Sequence, residues 1–374
     1  MLQANLSYFK NLVQRGLFPY LREELPEFDE DHEKISMILS ISQPENFIHY
    51  DFGKTGRPVK DRAKIARAFV AKAALNIPTT KDLLKRLRYD HSLRIICGWS
   101  YHYSLPSEST FSRAFAEFAQ CELPERIHKA LIKLAYQDKV LQHISRDATD
   151  IPVREKSKRS KSKAAEKRNS EGGPPAKPGK SKTHLQMASG KNWKELLAEL
   201  RHECDSGSKV SSKRTRMYWM GYKLSVDVSD DGIPVSCILT AASVSDMLLA
   251  IPLSRKSEQR TTPFYELMDQ GYYSKAIREF IEQRGRIPVI QKKPINKKMK
   301  EEMAIEARNR KALGITSVPE YRLKHRTVVE RFFSDLKDNF TGRFVRVKTC
   351  AKVFCHLMFG IVALTVCRKF KALC

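Results

Sequence analysis

Among the eight cysteines there is no Cys-x-x-Cys pair and no paired zinc-ligand spacing, so neither a zinc finger nor a disulfide scaffold is indicated. Cys350 and Cys355 lie near His356, but on an apolar helix they read as small hydrophobes. The N-terminus, MLQANLSYFKNLVQRGLFPYL, lacks a charged segment followed by an uninterrupted apolar stretch and does not read as a signal peptide. One long apolar run occurs, from Val353 to Cys367. It contains His356, is shorter than the ~20 residues of a spanning helix, and reads as a buried core helix. Together these features indicate a soluble protein of a reducing cytoplasm with no membrane attachment.

Negative charge is also scarce. Asp and Glu total 42 against 68 Lys and Arg, a net charge of +26. An excess of that size repels itself in any compact state and attracts polyanions. Nucleic acid is the expected partner, because each neutralised phosphate releases counterions. An anionic membrane surface is disfavoured, since no basic amphipathic anchor stands out. The hydrophobic share of 41% is that of a globular protein, and 374 residues suffice for two or three domains.

Residues 1–137 read as an all-α domain. The first 50 residues look helical and carry acidic clusters (Glu23, Glu24, Glu27, Asp29, Glu30, Asp31). Ile65, Ala66, Phe69, Val70 and Ala73 repeat at helical spacing. Pro78-Thr79-Thr80-Lys81-Asp82 opens a second helix with Thr79 or Thr80 as N-cap. After a turn at Gly98-Trp99-Ser100, a further helix carries Phe111, Phe115 and Phe118. Two helices separated by a turn among Lys and Arg suit a DNA-binding helix-turn-helix, and equally a plain helical bundle.

The pattern changes at Val140. Strands are expected at 140–151, 218–226 and 233–240, the last two joined by a turn at Asp230-Asp231-Gly232. A short helix is expected around Trp193–Leu200, preceding a basic turn (Lys213, Arg214, Arg216). Then follow a helix from Ser245 to Ile251, a strand from Phe264 to Met268, a helix from Ser274 to Gln283 and a strand from Ile287 to Gln291. A final long helix completes a mixed α/β sheet flanked by helices. Residues 154–182, rich in Lys, Ser, Gly and Pro, form a low-complexity basic insertion expected to be a mobile loop, as solvated linker or DNA-tracking arm.

The last helix carries the clearest chemical pattern. Val329, Phe332, Phe333, Leu336 and Phe340 make an apolar face expected to pack on the sheet. Arg326, Glu330 and Lys337, spaced i, i+4 and i+11, share a stripe beside it. Such a stripe suits a carboxylate holding a cation while Arg326 and Lys337 meet phosphate oxygens; it also suits an exposed salt-bridged face. Asp147 lies within or just after the first strand, and Asp269 ends a later one before a Gly turn. Strand ends of open α/β sheets are where ligands bind. A few carboxylates suffice for Mg²⁺, and two ions about 3.5–4 Å apart serve an in-line phosphoryl displacement.

Five segments in order carry a resemblance: Asp147-Ala148-Thr149, Met220-Gly221-Tyr222-Lys223-Leu224, Leu239 to Asp246, Asp269-Gln270-Gly271-Tyr272-Tyr273-Ser274, and Arg326-x3-Glu330-x6-Lys337. They resemble the DDE transposases of bacterial insertion sequences over roughly residues 138–370, and 56–118 resembles the helical N-terminal domain of such enzymes. Leu323 stands where that family often has Tyr, with Tyr321 nearby. The resemblance implies an RNase H-like catalytic domain over 138–374, with Asp147, Asp269 and Glu330 as catalytic metal ligands for Mg²⁺ or Mn²⁺, two ions being expected. Arg326 and Lys337, the phosphate contacts of the helical stripe, are implied as part of the signature around the Glu. The implied activity is cleavage at transposon ends and strand transfer into double-stranded target DNA, with a homodimer when two ends are synapsed. A DNA-binding protein that no longer cuts, or a nuclease of the same fold without strand transfer, are the rival readings.

Other carboxylates compete. Alternation along a strand turns Asp150 to the face opposite Asp147. Asp246 precedes a helix and reads as an N-cap, and Asp335 is off the Arg326 stripe. His143 and His325 read as core or phosphate-contact residues.

Overall fold

The computed structural model describes residues 28–48, 61–137, 139–157, 190–210, 215–292, 294 and 296–370. The acidic residues before Phe28, Lys213 and Arg214 of the basic turn, and 158–182 of the low-complexity insertion lie outside the described residues. The chain divides into two compact units, one of Met1–Gln137 with Phe333–Cys374 and one of Asp138–Phe332.

The first unit is helical, and short polar residues start its helices. Asp29 caps α1 (Glu30–Ser42) by accepting from His32 N–H. Asp61 caps α2 (Arg62–Ala74), and Thr79 caps α3 (Thr80–Tyr89) through a bond from Asp82 N–H. The sequence gives no separate sign of α4 (His91–Cys97). The break falls at Asp90, whose carboxylate accepts from Leu93 N–H, and α4 ends on Gly98 in the left-handed region at φ 104°. Helices α5 (Glu108–Gln120) and α6 (Leu123–Tyr136) follow.

The apolar run near the C-terminus forms a helix, Cys350–Lys369, which packs against α1, α2, α5 and α6. By length and composition it could cross a bilayer, yet most of it is buried. It is apolar all round because it is surrounded by helices. Phe359 on it meets the rings of Phe69, Phe115 and Phe118 at centroid distances of 5.8, 6.4 and 6.5 Å. A Cβ at Gly360 would stand 2.3 Å from the Phe340 carbonyl oxygen, so only glycine allows this approach.

The second unit is built on a six-stranded mixed sheet. Its centre is β1 (Val140–Pro152), antiparallel to β3 (Arg216–Ser229) on one side and parallel to β5 (Thr262–Met268) on the other. Beyond β5 runs β6 (Ile287–Ile290), also parallel. The far edge of β3 is shared end to end by β2 (Asp205–Val210) and β4 (Pro234–Ala241). Gly221 of β3 has φ 152°, and a Cβ there would meet the Ile151 carbonyl oxygen at 2.2 Å, which explains the glycine in Met220-Gly221-Tyr222. With its flanking helices this is the expected α/β, RNase H-like arrangement.

Helix α7 (Trp193–Ala198) precedes β2, and α8 (Asp246–Glu258) follows β4. The sequence reading ends α8 at Ile251, before Pro252; the helix instead runs on through it. Leu253, Ser254, Lys256 and Ser257 are buried, and Lys256 Nζ donates to the Cys237 carbonyl oxygen at 2.7 Å. Packing there outweighs the missing proline N–H. Helix α9 (Lys275–Glu282) buries Ile277, Phe280 and Ile281 as its amphipathic pattern requires.

Three further elements left no mark on the sequence reading. Strand β2, Asp-Ser-Gly-Ser-Lys-Val, is a mostly exposed edge without apolar alternation. Helix α10 (Lys297–Ala312) has no buried residue; good helix formers and the pairs Lys297–Glu301 and Arg310–Glu306 support it. The short α11 (Val318–Leu323) starts with a capping box between Ser317 and Glu320. Helix α12 (Thr327–Asn339) crosses the division between units. Its apolar face does not pack on the sheet throughout: Phe333, Leu336 and Phe340 cluster with the helical unit, where Leu336 and Phe340 meet Gly360 of the C-terminal helix, α13.

Candidate active site

Strands β1 and β5 run parallel with Arg146 opposite Met268. The next residues are Asp147, still within β1, and Asp269, just past the end of β5, so the two carboxylates follow paired positions on adjacent strands. Asp269 closes β5 and caps a 3-10 turn, its Oδ1 accepting from Gly271 N–H at 2.8 Å. Asp147 Oδ1 accepts from Ala148 N–H at 2.8 Å, and its Oδ2 accepts from Arg326 Nη1 at 3.0 Å. Arg326 sits in a 3-10 turn just before α12, and its Nη2 donates to Glu330 Oε1 at 2.8 Å. One guanidinium therefore ties a β1 carboxylate to an α12 carboxylate.

Burial pushes the Asp147 carboxyl up to about 6; Ala148 N–H and Arg326 oppose the rise, while Asp269 and Asp246 add to it. Asp246 does not cap α8. Ser245 holds that position, and Asp246 is the first helical residue, paired at 2.9 Å with Lys223 Nζ of β3. Lys223 also donates to the Val244 carbonyl oxygen at 2.9 Å. Tyr272 lies buried nearby, its hydroxyl without a hydrogen-bond partner among the described residues. Burial, then the charges of Asp246 and Asp147, holds that hydroxyl well above its ordinary pKa.

Arg146, next to Asp147, lies in a buried ionic cluster. It makes two 2.8 Å bonds to Asp227 and a 3.0 Å ion pair with Glu266, which also pairs with Arg286. Ser257 Oγ donates to Asp227 at 2.6 Å. Burial lifts the Asp227 carboxyl above its usual range even though Arg146 opposes it.

The competing residues are otherwise engaged. Asp150 is bound by Lys209 of β2. Asp335 pairs with Arg368 at 2.8 Å within the helical unit. His143 is buried, stacked on His325 at 5.1 Å and on Tyr265 at 5.5 Å, with Arg322 Nη1 at 2.8 Å from its Nε2. Burial, Arg322 and His325 lower its pKa. Lys337 lies two turns beyond Glu330 on α12, among the residues of the helical unit.

Among the described residues, no three His, Cys, Asp or Glu side chains converge closely enough to share one ion. The Arg326 guanidinium lies instead between Asp147 and Glu330. The donor chemistry nevertheless fits a hard dication: carboxylate oxygens supplied from separate elements, with Asp147 and Asp269 following paired positions on adjacent strands. Lys223, Asp246, Tyr272 and the Arg146 cluster surround the candidate carboxylates without being expected there, Asp246 being weighed in the sequence only as an N-cap. The first three do lie inside the motif segments, which was the available signal.

Comparison with family models gives two matches. Residues 138–366 match the transposase DDE domain, and residues 22–117 match a transposase domain. Comparison with curated proteins and with solved structures gives no match. Divalent metal ions are generally used by DDE transposases. The first match spans well over half of the chain and contains all three expected carboxylates, so the chain belongs to the transposase DDE domain family.

Proposed function

We propose that this protein cuts DNA at transposon ends and joins the freed 3′ ends to target DNA, with Asp147, Asp269 and Glu330 as the catalytic carboxylates. The observation that carries this reading is that Asp147, within β1, and Asp269, just past the end of β5, each follow the paired residues Arg146 and Met268 of adjacent strands, with Arg326 linking Asp147 to Glu330. Mg²⁺ or Mn²⁺, two ions in the expected form, would be held by these three residues and would supply charge stabilisation at the attacking and leaving oxygens. The chain's own contribution is positioning. Strands β1 and β5 fix two carboxylates on a rigid sheet, and α12 presents the third. Arg326, and Lys337 further along the helix, meet backbone phosphates.

The excess of positive charge supplies the affinity for double-stranded DNA, and residues 154–182 add a basic arm to it. The helical unit contributes further DNA contacts. The protein acts in the cytoplasm, and synapsis of two ends calls for a homodimer on DNA.

The test is a cleavage and joining assay on a plasmid carrying the element's own ends. Asp147→Asn, Asp269→Asn and Glu330→Gln should each lower Mg²⁺-dependent cleavage by about a hundredfold or more while circular dichroism stays unchanged. Normal cleavage by all three variants would remove the assignment. Cleavage without joining would leave a nuclease, and DNA binding without any cleavage would leave a binding protein.

A further inference from the structure

The Arg326 guanidinium spends one nitrogen on each of two carboxylates, Nη1 on Asp147 Oδ2 and Nη2 on Glu330 Oε1. Neither carboxylate receives the two-pronged fork that makes arginine pairs strong. Arg326 and Asp147 are each about a quarter exposed, and Glu330 is more than half exposed, so the bridge is open to solvent and to a ligand. A cation held between both carboxylates would compete with the guanidinium that now lies between them and takes one oxygen of each. A DNA phosphate presents two oxygens to the same two nitrogens, in the geometry that a guanidinium prefers.

We propose that Arg326 couples the two ligands: it competes with the metal for Asp147 and Glu330, and a DNA phosphate withdraws it, so that DNA and metal bind cooperatively. The inference rests on the proposed catalytic role of these carboxylates and adds an order to their occupancy. Without DNA the guanidinium neutralises part of the carboxylate charge and occupies one oxygen of each, which keeps metal affinity low. Once a phosphate has taken the guanidinium, three carboxylates carry uncompensated charge, and a dication binds more tightly. Coupling is reciprocal, so metal must strengthen the phosphate contact by the same factor. A merely supporting Arg326 would have the opposite signature, because its loss would loosen the carboxylates and weaken metal binding.

The experiment uses the full chain and Mn²⁺ as probe, with free Mn²⁺ read by electron paramagnetic resonance, so no turnover is needed. Without DNA, Arg326→Gln should bind Mn²⁺ about fivefold or more tightly than the unsubstituted protein. Adding a short duplex, with the duplex's own Mn²⁺ uptake subtracted, should tighten binding to the unsubstituted protein by a similar factor and leave Arg326→Gln nearly unchanged. Arg326→Lys, a point charge that cannot bridge both carboxylates, should fall between them, and it serves if the glutamine variant does not fold. Equal or weaker Mn²⁺ binding by the Arg326 variants overturns the coupling. If Asp147→Asn and Glu330→Gln also leave Mn²⁺ uptake unchanged, the catalytic assignment fails with it; if they abolish uptake, the assignment stands and the coupling alone is lost.

Discussion

Both compact units have apolar cores, but they differ in how their interiors carry charge. The helical unit buries rings and aliphatic side chains around Phe359, with Phe69, Phe115 and Phe118 against it. The sheet unit adds a dense ionic cluster to its apolar core: Arg146, Asp227, Glu266 and Arg286 are all nearly inaccessible. An apolar interior gains from burial directly. A buried ionic cluster gains little net stability, because desolvation offsets most of its attraction. Its position one residue from Asp147 suggests a different return. Paired on several sides, Arg146 fixes β1 where the site carboxylate emerges. The comparison teaches that apolar packing holds this protein together, whereas buried charge marks where it is held in register.

The sharpest way to break this comparison is to remove one member from each interior. Arg146→Met should destabilise the sheet unit by about 3–5 kcal/mol, since it strands Asp227 without its cation and leaves Glu266 to Arg286 alone. Phe359→Ala should cost the helical unit about as much, through lost burial and a cavity. The two deficits should then separate with pH. In Arg146→Met the stranded Asp227, already held above its usual range by burial, can take up a proton, so its deficit should shrink toward acid pH. The Phe359→Ala deficit should not. Urea denaturation at several pH values measures both, and a pH-independent Arg146→Met deficit would refute the ionic account.

A smaller effect concerns a buried histidine of the helical unit. His356 is buried on α13, with Nε2 at 3.1 Å from the Thr341 carbonyl oxygen. Burial, with Lys72 adding to it, pushes its pKa down to about 3. The unfolded chain protonates this ring below about 6.5 and the folded chain does not. Its contribution to stability is therefore whole above pH 6.5 and is lost as pH falls toward 3, by at most about 1.4 kcal/mol per pH unit. Removing the titration with His356→Gln should flatten the acid limb of the stability profile; an unchanged limb would assign it to other groups.

The smallest expected change is at a helix start. Thr79→Ala removes the bond from Asp82 N–H and should cost about 1 kcal/mol, read as a lower urea midpoint.

Much of this was legible in the sequence. The helical face of Ile65, Phe69 and Val70, the ring pattern of Phe111, Phe115 and Phe118, and the turn at Asp230-Asp231-Gly232 each state a local period or a turn rule. Elements that obey no such rule were missed. Strand β2 pairs at an exposed edge, and α10 buries nothing, so neither needs an apolar pattern. Helix α8 violates the proline rule because its second half is buried. Of the candidate site, the Arg326–Glu330 pair follows from helical spacing and Asp269 from its strand-end position before a Gly turn, whereas Asp147 depends most on the family resemblance.

The amino-acid order by itself determined the charge excess, the apolar periodicities, the order of the motif segments and the neighbours Arg326 and Glu330, because each is a property of composition or of separations within one element. Only the tertiary structure decided that Asp147 and Asp269 emerge side by side, since strand pairing joins residues more than a hundred positions apart. The tertiary structure also placed Arg326 on Asp147 as well as Glu330, gave Lys223 to Asp246, and assigned the last apolar helix to the helical unit. These are long-range choices among many locally acceptable partners, and they are settled by burial and charge pairing rather than by spacing along the chain.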